Sequence, residues 1–206
     1  MTSRRVYMYG LYERFWHWTQ ALCIGALLAT GGAIHWPEIL PVGSFKVMVV
    51  LHMVAAVLLF LNAFLGLFYH LATGAIQAFM PEPRDFFTLA IKQVRYYTGG
   101  IFRGEPHPFA RRKGQKMNVI QQMTYLGILN VLLPGQILLG VMLAMNEVAP
   151  SLLAPIGGLT LIAPLHLFLA WVFLSFIIGH IYMTTTGPTP LAYLRAMITG
   201  WEDVHE

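Results

Sequence analysis

Five of the eight histidines lie in long apolar stretches of this 206-residue chain: His17, His52, His70, His166 and His180. An imidazole surrounded by hydrocarbon is costly, so each of these is a functional candidate by default. The step from His166 to His180 is just under four helical turns, which leaves the two within about 40° of one helix face and separated by about 21 Å. One helix thus offers two ligand-forming side chains at two depths. His17 opens the first apolar stretch and His52 comes early in the second, so alternating passes across a bilayer match His17 in depth with His180, and His52 with His166. Paired imidazoles on facing helices, inside an apolar shell, are what haem iron takes as axial ligands. Zinc or copper suits such sites less well, because each has two imidazoles, no neighbouring Cys and no carboxylate. A single intramembrane histidine more often makes an interhelical hydrogen bond; four at matching depths favour ligation. His70, about five turns after His52 and on the same helix face, is the alternative to His17 as partner of His180. It could instead meet a haem propionate or a quinone.

The elements that must position these residues are visible in the hydropathy. Only 11% of residues are charged and 57% are hydrophobic, with a mean hydropathy of +0.62, whereas soluble domains carry about 25% charged residues. That composition excludes an ordinary soluble domain. Four apolar stretches, at 15–36, 46–72, 119–145 and 161–186, each reach the roughly 20 residues that cross about 30 Å of hydrocarbon. The first follows a basic head, Arg4, Arg5 and Arg14. It exceeds the core of a secretory signal and has no small-residue cleavage site, so it reads as a retained span. The single cysteine, Cys23, allows no disulfide and no thiolate cluster; it reads as a buried structural thiol.

The net charge of +4 matters through its placement rather than as a nucleic-acid signal. Twelve of the thirteen Lys and Arg residues fall in the N-terminal head, the segment between the second and third stretches, or the C-terminal tail; Lys46 is the exception. The positive-inside rule then puts both termini and that long middle segment in the cytoplasm. The expected fold is all-α: an integral membrane four-helix bundle over residues 1–206, N-in and C-in, with a long cytoplasmic loop between helices 2 and 3. Within the loop, Asp85 to Tyr97 has the pattern of an amphipathic helix or of an ordinary connecting helix, with Lys92 and Arg95 on its polar side. His35, His107 and His205 lie outside the stretches and default to interfacial or solvated roles.

The third stretch holds no histidine but starts with unusual polarity: Lys116-Met-Asn-Val-Ile-Gln-Gln-Met-Thr-Tyr125. Asn118 suits a helix N-cap, and Gln121 and Gln122 suit headgroup contact. The same junction lies at the depth of His180. There, an amide and an imidazole could hold the carbonyl oxygens of a quinone that arrives from lipid and exchanges protons with water. The two readings are compatible.

Three motifs, Arg14-Phe-Trp-His17-Trp, Asn118-Val-Ile-Gln-Gln-Met-Thr-Tyr-Leu-Gly127, and His166 followed by His180-Ile-Tyr in a helix ending Thr186-Gly-Pro-Thr, are similar to those of the di-haem cytochrome b membrane subunits of quinone-linked respiratory complexes. That family includes the formate dehydrogenase gamma subunit, the b-type cytochrome of nickel-iron hydrogenase and the thiosulfate reductase cytochrome b. The resemblance covers essentially the whole chain, including the tail Ala196-Met-Ile-Thr-Gly-Trp-Glu202. The formate dehydrogenase version has Gly and a basic residue around the glutamine, where this chain has Ile120 and Gln122; the closer likeness, over Asn118 to Pro134, is to the thiosulfate reductase type.

The resemblance implies two haem b groups ligated by His17, His52, His166 and His180. It also implies a menaquinone or ubiquinone site near Asn118, Gln121 and His180, with no catalytic residue for the other substrate. The expected partners are an iron-sulfur or multihaem cytochrome subunit and a catalytic subunit at the outer face of a bacterial inner membrane. Two alternatives stand beside it: a standalone di-haem cytochrome oxidising a small species such as superoxide, and a histidine-lined proton or metal transporter.

Overall fold

The computed structural model describes residues 3–80, 86–105 and 117–205. Asp85, His107, the basic run Arg111-Arg112-Lys113 and Lys116 lie outside the described residues, as do the last three residues of Met80-Pro-Glu-Pro83. The described residues are all-α apart from one terminal ribbon. Helix α1 spans Leu11–His35, α2 Phe45–Ala72, α3 Phe86–Arg95, α4 Val119–Val148, α5 Gly158–Thr184 and α6 Ala192–Thr199. Strands β1, Ser3–Tyr7, and β2, Trp201–His205, pair antiparallel.

Local chemistry fixes the helix boundaries. Ser44 caps α2 by accepting from the Val47 N–H at 3.3 Å, and the Glu13 carboxylate takes the Gly10 N–H at 2.7 Å ahead of α1, each satisfying a donor at a helix start. In α4 the pyrrolidine of Pro134 meets no regular helical backbone. Its ring would press on the Asn130 carbonyl, and the helix widens into a π turn at Ile128–Leu132 just before it.

Among the described residues, α2, α4 and α5 are long and apolar enough to cross a membrane, at 28, 30 and 27 residues. The 25 residues of α1 extend about 37 Å at 1.5 Å per residue, so length is not what separates it. Its sequence is diluted by His17, Thr19, Gln20, Thr30 and His35. The amphipathic segment expected at Asp85 to Tyr97 forms α3, continued by a π turn at Tyr96–Gly100.

The four long helices form two antiparallel hairpins. Helix α1 packs along α2 and α4 along α5, while the closest backbone contacts stay within each hairpin. The hairpins meet through a buried layer of Cys23, Leu59, Leu133 and Phe173, one residue from each helix. Phe173 stands midway between His166 and His180 in sequence, so this apolar layer divides two histidine levels. Outward faces carry exposed Leu, Val and Phe, among them Phe64, Leu65, Phe68 and Leu71 on α2. Such a surface is stable only in an apolar surrounding.

No sequence signal announces the terminal ribbon. Its register sets Arg5 opposite Asp203 and Tyr7 opposite Trp201, with the two rings edge to face at 5.1 Å and the Arg5 guanidinium 5.6 Å from the Trp201 ring. Beside the ribbon, the start of α1 is fastened to α6. The Trp18 indole donates to the Met197 carbonyl at 3.1 Å, and the Arg14 guanidinium donates to that of Ile198. A cation at the C-terminal end of α6 also complements the helix dipole.

Candidate functional site

Helix periodicity carries the intramembrane histidines into two facing pairs. His17 of α1 meets His180 of α5 with ring centroids 6.0 Å apart, and His52 of α2 meets His166 of α5 at 6.4 Å. These are the pairs expected from depth. Two imidazoles each bound through one nitrogen at about 2 Å to a common metal have ring centres about 6 Å apart, so both pairs have the spacing of axial ligands to one iron. All four rings are half-buried. Nδ1 of His17 is buried with no hydrogen-bond partner, and an orphaned buried nitrogen is a cost that a native protein offsets with a ligand or a partner. The residues present fit haem.

Around the pair at His52 and His166, two glycines make room for the rings. A Cβ on Gly31 of α1 would come to 3.3 Å from His52 Cε1, and one on Gly140 of α4 to 3.3 Å from His166 Cε1. Both contacts are tighter than ordinary van der Waals spacing. Two side chains hold the ring nitrogens: Thr30 Oγ1 lies 2.9 Å from His52 Nδ1, and Gln136 Nε2 lies 3.3 Å from His166 Nε2. Nothing in the sequence singles out Thr30 or Gln136. A sequence signal for Gly31 does exist: the interval from His17 to Gly31 equals that from His166 to His180, so Gly31 shares the inward face of α1.

At the other level the surroundings are aromatic. Phe176 stacks on His180 at 5.7 Å, Tyr125 of α4 meets Phe176 at 6.3 Å, and Phe79 meets Tyr125 at 6.4 Å. His70 ends this row against Phe79 at 5.3 Å and against Trp16 at 5.2 Å. It is buried, its Nδ1–H donates to the Gly66 carbonyl at 2.6 Å, and among the described residues no ring contact joins it to His180. The partner that geometry gives His180 is His17.

Asn118 caps α4 and is buried. Its Oδ1 accepts from the Gln121 N–H at 2.9 Å, Gln121 Oε1 accepts from the Asn118 N–H at 3.0 Å, and its amide donates to the Tyr97 hydroxyl at 3.3 Å. This is a reciprocal capping box. Two further glutamines tie the junction to the middle segment. Gln93 of α3 accepts from the Ile120 N–H at 3.3 Å, and Gln122 donates to the Ala78 carbonyl at 3.0 Å. His35, on the exposed end of α1, packs edge-on against Trp36 at 4.4 Å.

Apolar helices that bring four imidazoles together in two pairs, one tilted and one edge-on, suit a membrane protein of the b-type cytochrome class. Residues 8–200 match the family described as prokaryotic cytochrome b561, and the chain belongs to that family. It is 33% identical over 204 residues to the Escherichia coli (strain K12) protein named "Putative cytochrome YdhU", an alignment covering 97% of this chain and 75% of that one. No solved structure matches it. Membership makes the chain a haem-b membrane protein of the electron-transfer type.

Proposed function

We propose that the chain is a di-haem cytochrome b subunit of a respiratory oxidoreductase, passing electrons across the bacterial inner membrane between a partner at the outer face and a membrane quinone. The observation that carries this reading is the facing of His17 with His180 and of His52 with His166, at 6.0 and 6.4 Å, on either side of one apolar layer. In this reading α1 crosses the bilayer together with α2, α4 and α5 as a four-helix bundle. Both termini and the 73–118 segment face the cytoplasm, as their Lys and Arg content favours. His52 and His166 then form the outer site, and His17 and His180 the inner one.

Haem b, when bound, supplies reversible one-electron exchange whose potential is set by its axial ligands and their surroundings. The chain holds it through four imidazoles and excludes water with the Cys23, Leu59, Leu133 and Phe173 layer. The quinone site is proposed at the cytoplasmic end, between His180 and the start of α4. Asn118 and Gln121 hold that start rigid, and Phe176 and Tyr125 line the way from it to His180. An iron-sulfur or multihaem cytochrome subunit with its catalytic subunit is the proposed outer partner.

Purification in mild detergent is expected to give a reduced-minus-oxidised visible spectrum of b haem, two haems per chain, reduction by quinol, and a copurifying redox subunit. A preparation without haem bands would instead favour the transporter class and overturn the reading. Gly140→Leu is expected to push the His166 ring aside and remove the outer haem alone, leaving one haem per chain by pyridine haemochrome assay; two haems in that variant would contradict the assignment of the outer site.

A further inference from the structure

Thr30 is one of the few polar side chains buried in the span interior, with 8% of its surface exposed. Its hydroxyl has one proton to give. The Ala26 carbonyl stands 2.7 Å from Oγ1 and takes it, while the Leu27 carbonyl is at 3.4 Å. Towards His52 Nδ1, at 2.9 Å, the hydroxyl can therefore only accept. A neutral imidazole carries its proton on one nitrogen and a lone pair on the other, so accepting from Nδ1–H leaves Nε2 bare. The next residue, Gly31, lets the His52 ring lie against α1, with Cε1 at 3.3 Å from where a Cβ would stand. Thr30 and Gly31 together fix both the tautomer and the position of the ring.

We propose that Thr30 is a positioning residue for the outer haem, holding His52 as the Nδ1–H tautomer so that Nε2 is presented to iron. The inference rests on the di-haem reading and adds an electronic consequence to it. A hydrogen bond from Nδ1–H to an acceptor makes the imidazole more basic, which favours ferric over ferrous iron and lowers the haem potential. Removing the acceptor raises the potential. Outer partners of metal-bound histidines typically contribute about 10–100-fold in affinity; a tenfold loss of ferric over ferrous preference corresponds to an upward shift of about 59 mV in a one-electron couple.

The test is a redox titration of the full-length protein in detergent, following both haems. Thr30→Val keeps the shape and deletes the hydroxyl acceptor, leaving the Leu27 carbonyl as the backbone partner of His52, and is expected to raise the potential of one haem while the other keeps its wild-type value, an internal measure that the fold is intact. Thr30→Ser restores the hydroxyl and is expected to return the potential to the wild-type value. Unchanged potentials in Thr30→Val, or a Thr30→Ser protein that behaves like Thr30→Val, would overturn the proposal. His52→Ala separates this from the parent reading: two haems retained there would remove the outer site itself, whereas loss of one haem there with no response in Thr30→Val would remove only the role of Thr30.

Discussion

His180→Ala is expected to leave one haem per chain instead of two and to abolish reduction by quinol, with the remaining haem keeping its spectrum. His180 is the only described histidine whose ring faces His17, at 6.0 Å, so its loss leaves a single imidazole at that level. It also removes the ring on which Phe176 stacks, at the end of the molecule where α4 begins. The other pair is untouched: His166 lies almost four turns earlier in α5, beyond the Phe173 layer. Haem content by pyridine haemochrome and stopped-flow reduction by a soluble quinol analogue read the two effects separately. His70→Ala provides the contrast. The Nδ1–H of His70 is bound to the Gly66 carbonyl and its ring packs on Trp16 and Phe79, so its loss should cost about 1–3 kcal/mol of stability with both haems retained. Two haems in His180→Ala, or one in His70→Ala, would require the inner ligands to be reassigned.

The pairing of the histidines is legible in the sequence because it depends on helical rise, helical period and the direction of each pass. His166 and His180 share a face of α5 by arithmetic, and depth alone matches them to His52 and His17. The choice between His17 and His70 is not determined in that way. Both lie at the same depth, and only the rotation of α2, with Asn62, Gly66 and His70 turned towards Trp16 of α1, separates them. Thr30 and Gln136 are hidden for a related reason. A polar residue in an apolar helix shows its purpose only when the neighbouring helix's rotation and distance are known. The cap at Asn118 is a local motif, and its sequence pattern is sufficient to find it; that its amide is spent on Gln121 and Tyr97 depends on how the middle segment folds back. The terminal ribbon joins the two ends of the chain, and each of its short strands offers too few residues for a periodic signal. The opposite charges of Arg5 and Asp203 suit cross-strand neighbours, yet nothing local brings them together.

Gly66→Ala is expected to be a disruptive single-methyl change, lowering stability by about 1–3 kcal/mol through overpacking and reducing occupancy of the haem proposed at His17 and His180. A Cβ at Gly66 would collide with Trp16 Nε1 and stand 2.8 Å from Cε2 and 2.9 Å from Cδ1. The indole cannot swing aside without loss. Its N–H donates to the Asn62 carbonyl at 3.1 Å, and the Asn62 amide in turn donates to the Trp16 carbonyl at 3.2 Å and to Gln20 Oε1 at 2.8 Å. Asn62, Gly66 and His70 recur at every fourth residue, making a stripe of small and polar side chains along which α1 approaches α2. Close helix approach over small residues and interhelical hydrogen bonds are the main sources of association inside a bilayer, where apolar burial contributes little. Trp16 immediately precedes His17, so a displaced indole also turns His17 away from His180. Gly127→Ala is the control: nothing lies within 4 Å of a Cβ there, and replacing a helical glycine by alanine should be neutral or stabilise by up to about 1 kcal/mol. Thermal unfolding in detergent, read alongside haem per chain, compares the two variants. Equal midpoints and equal haem contents would mean that the Trp16–Gly66 contact does not set the spacing of α1 and α2.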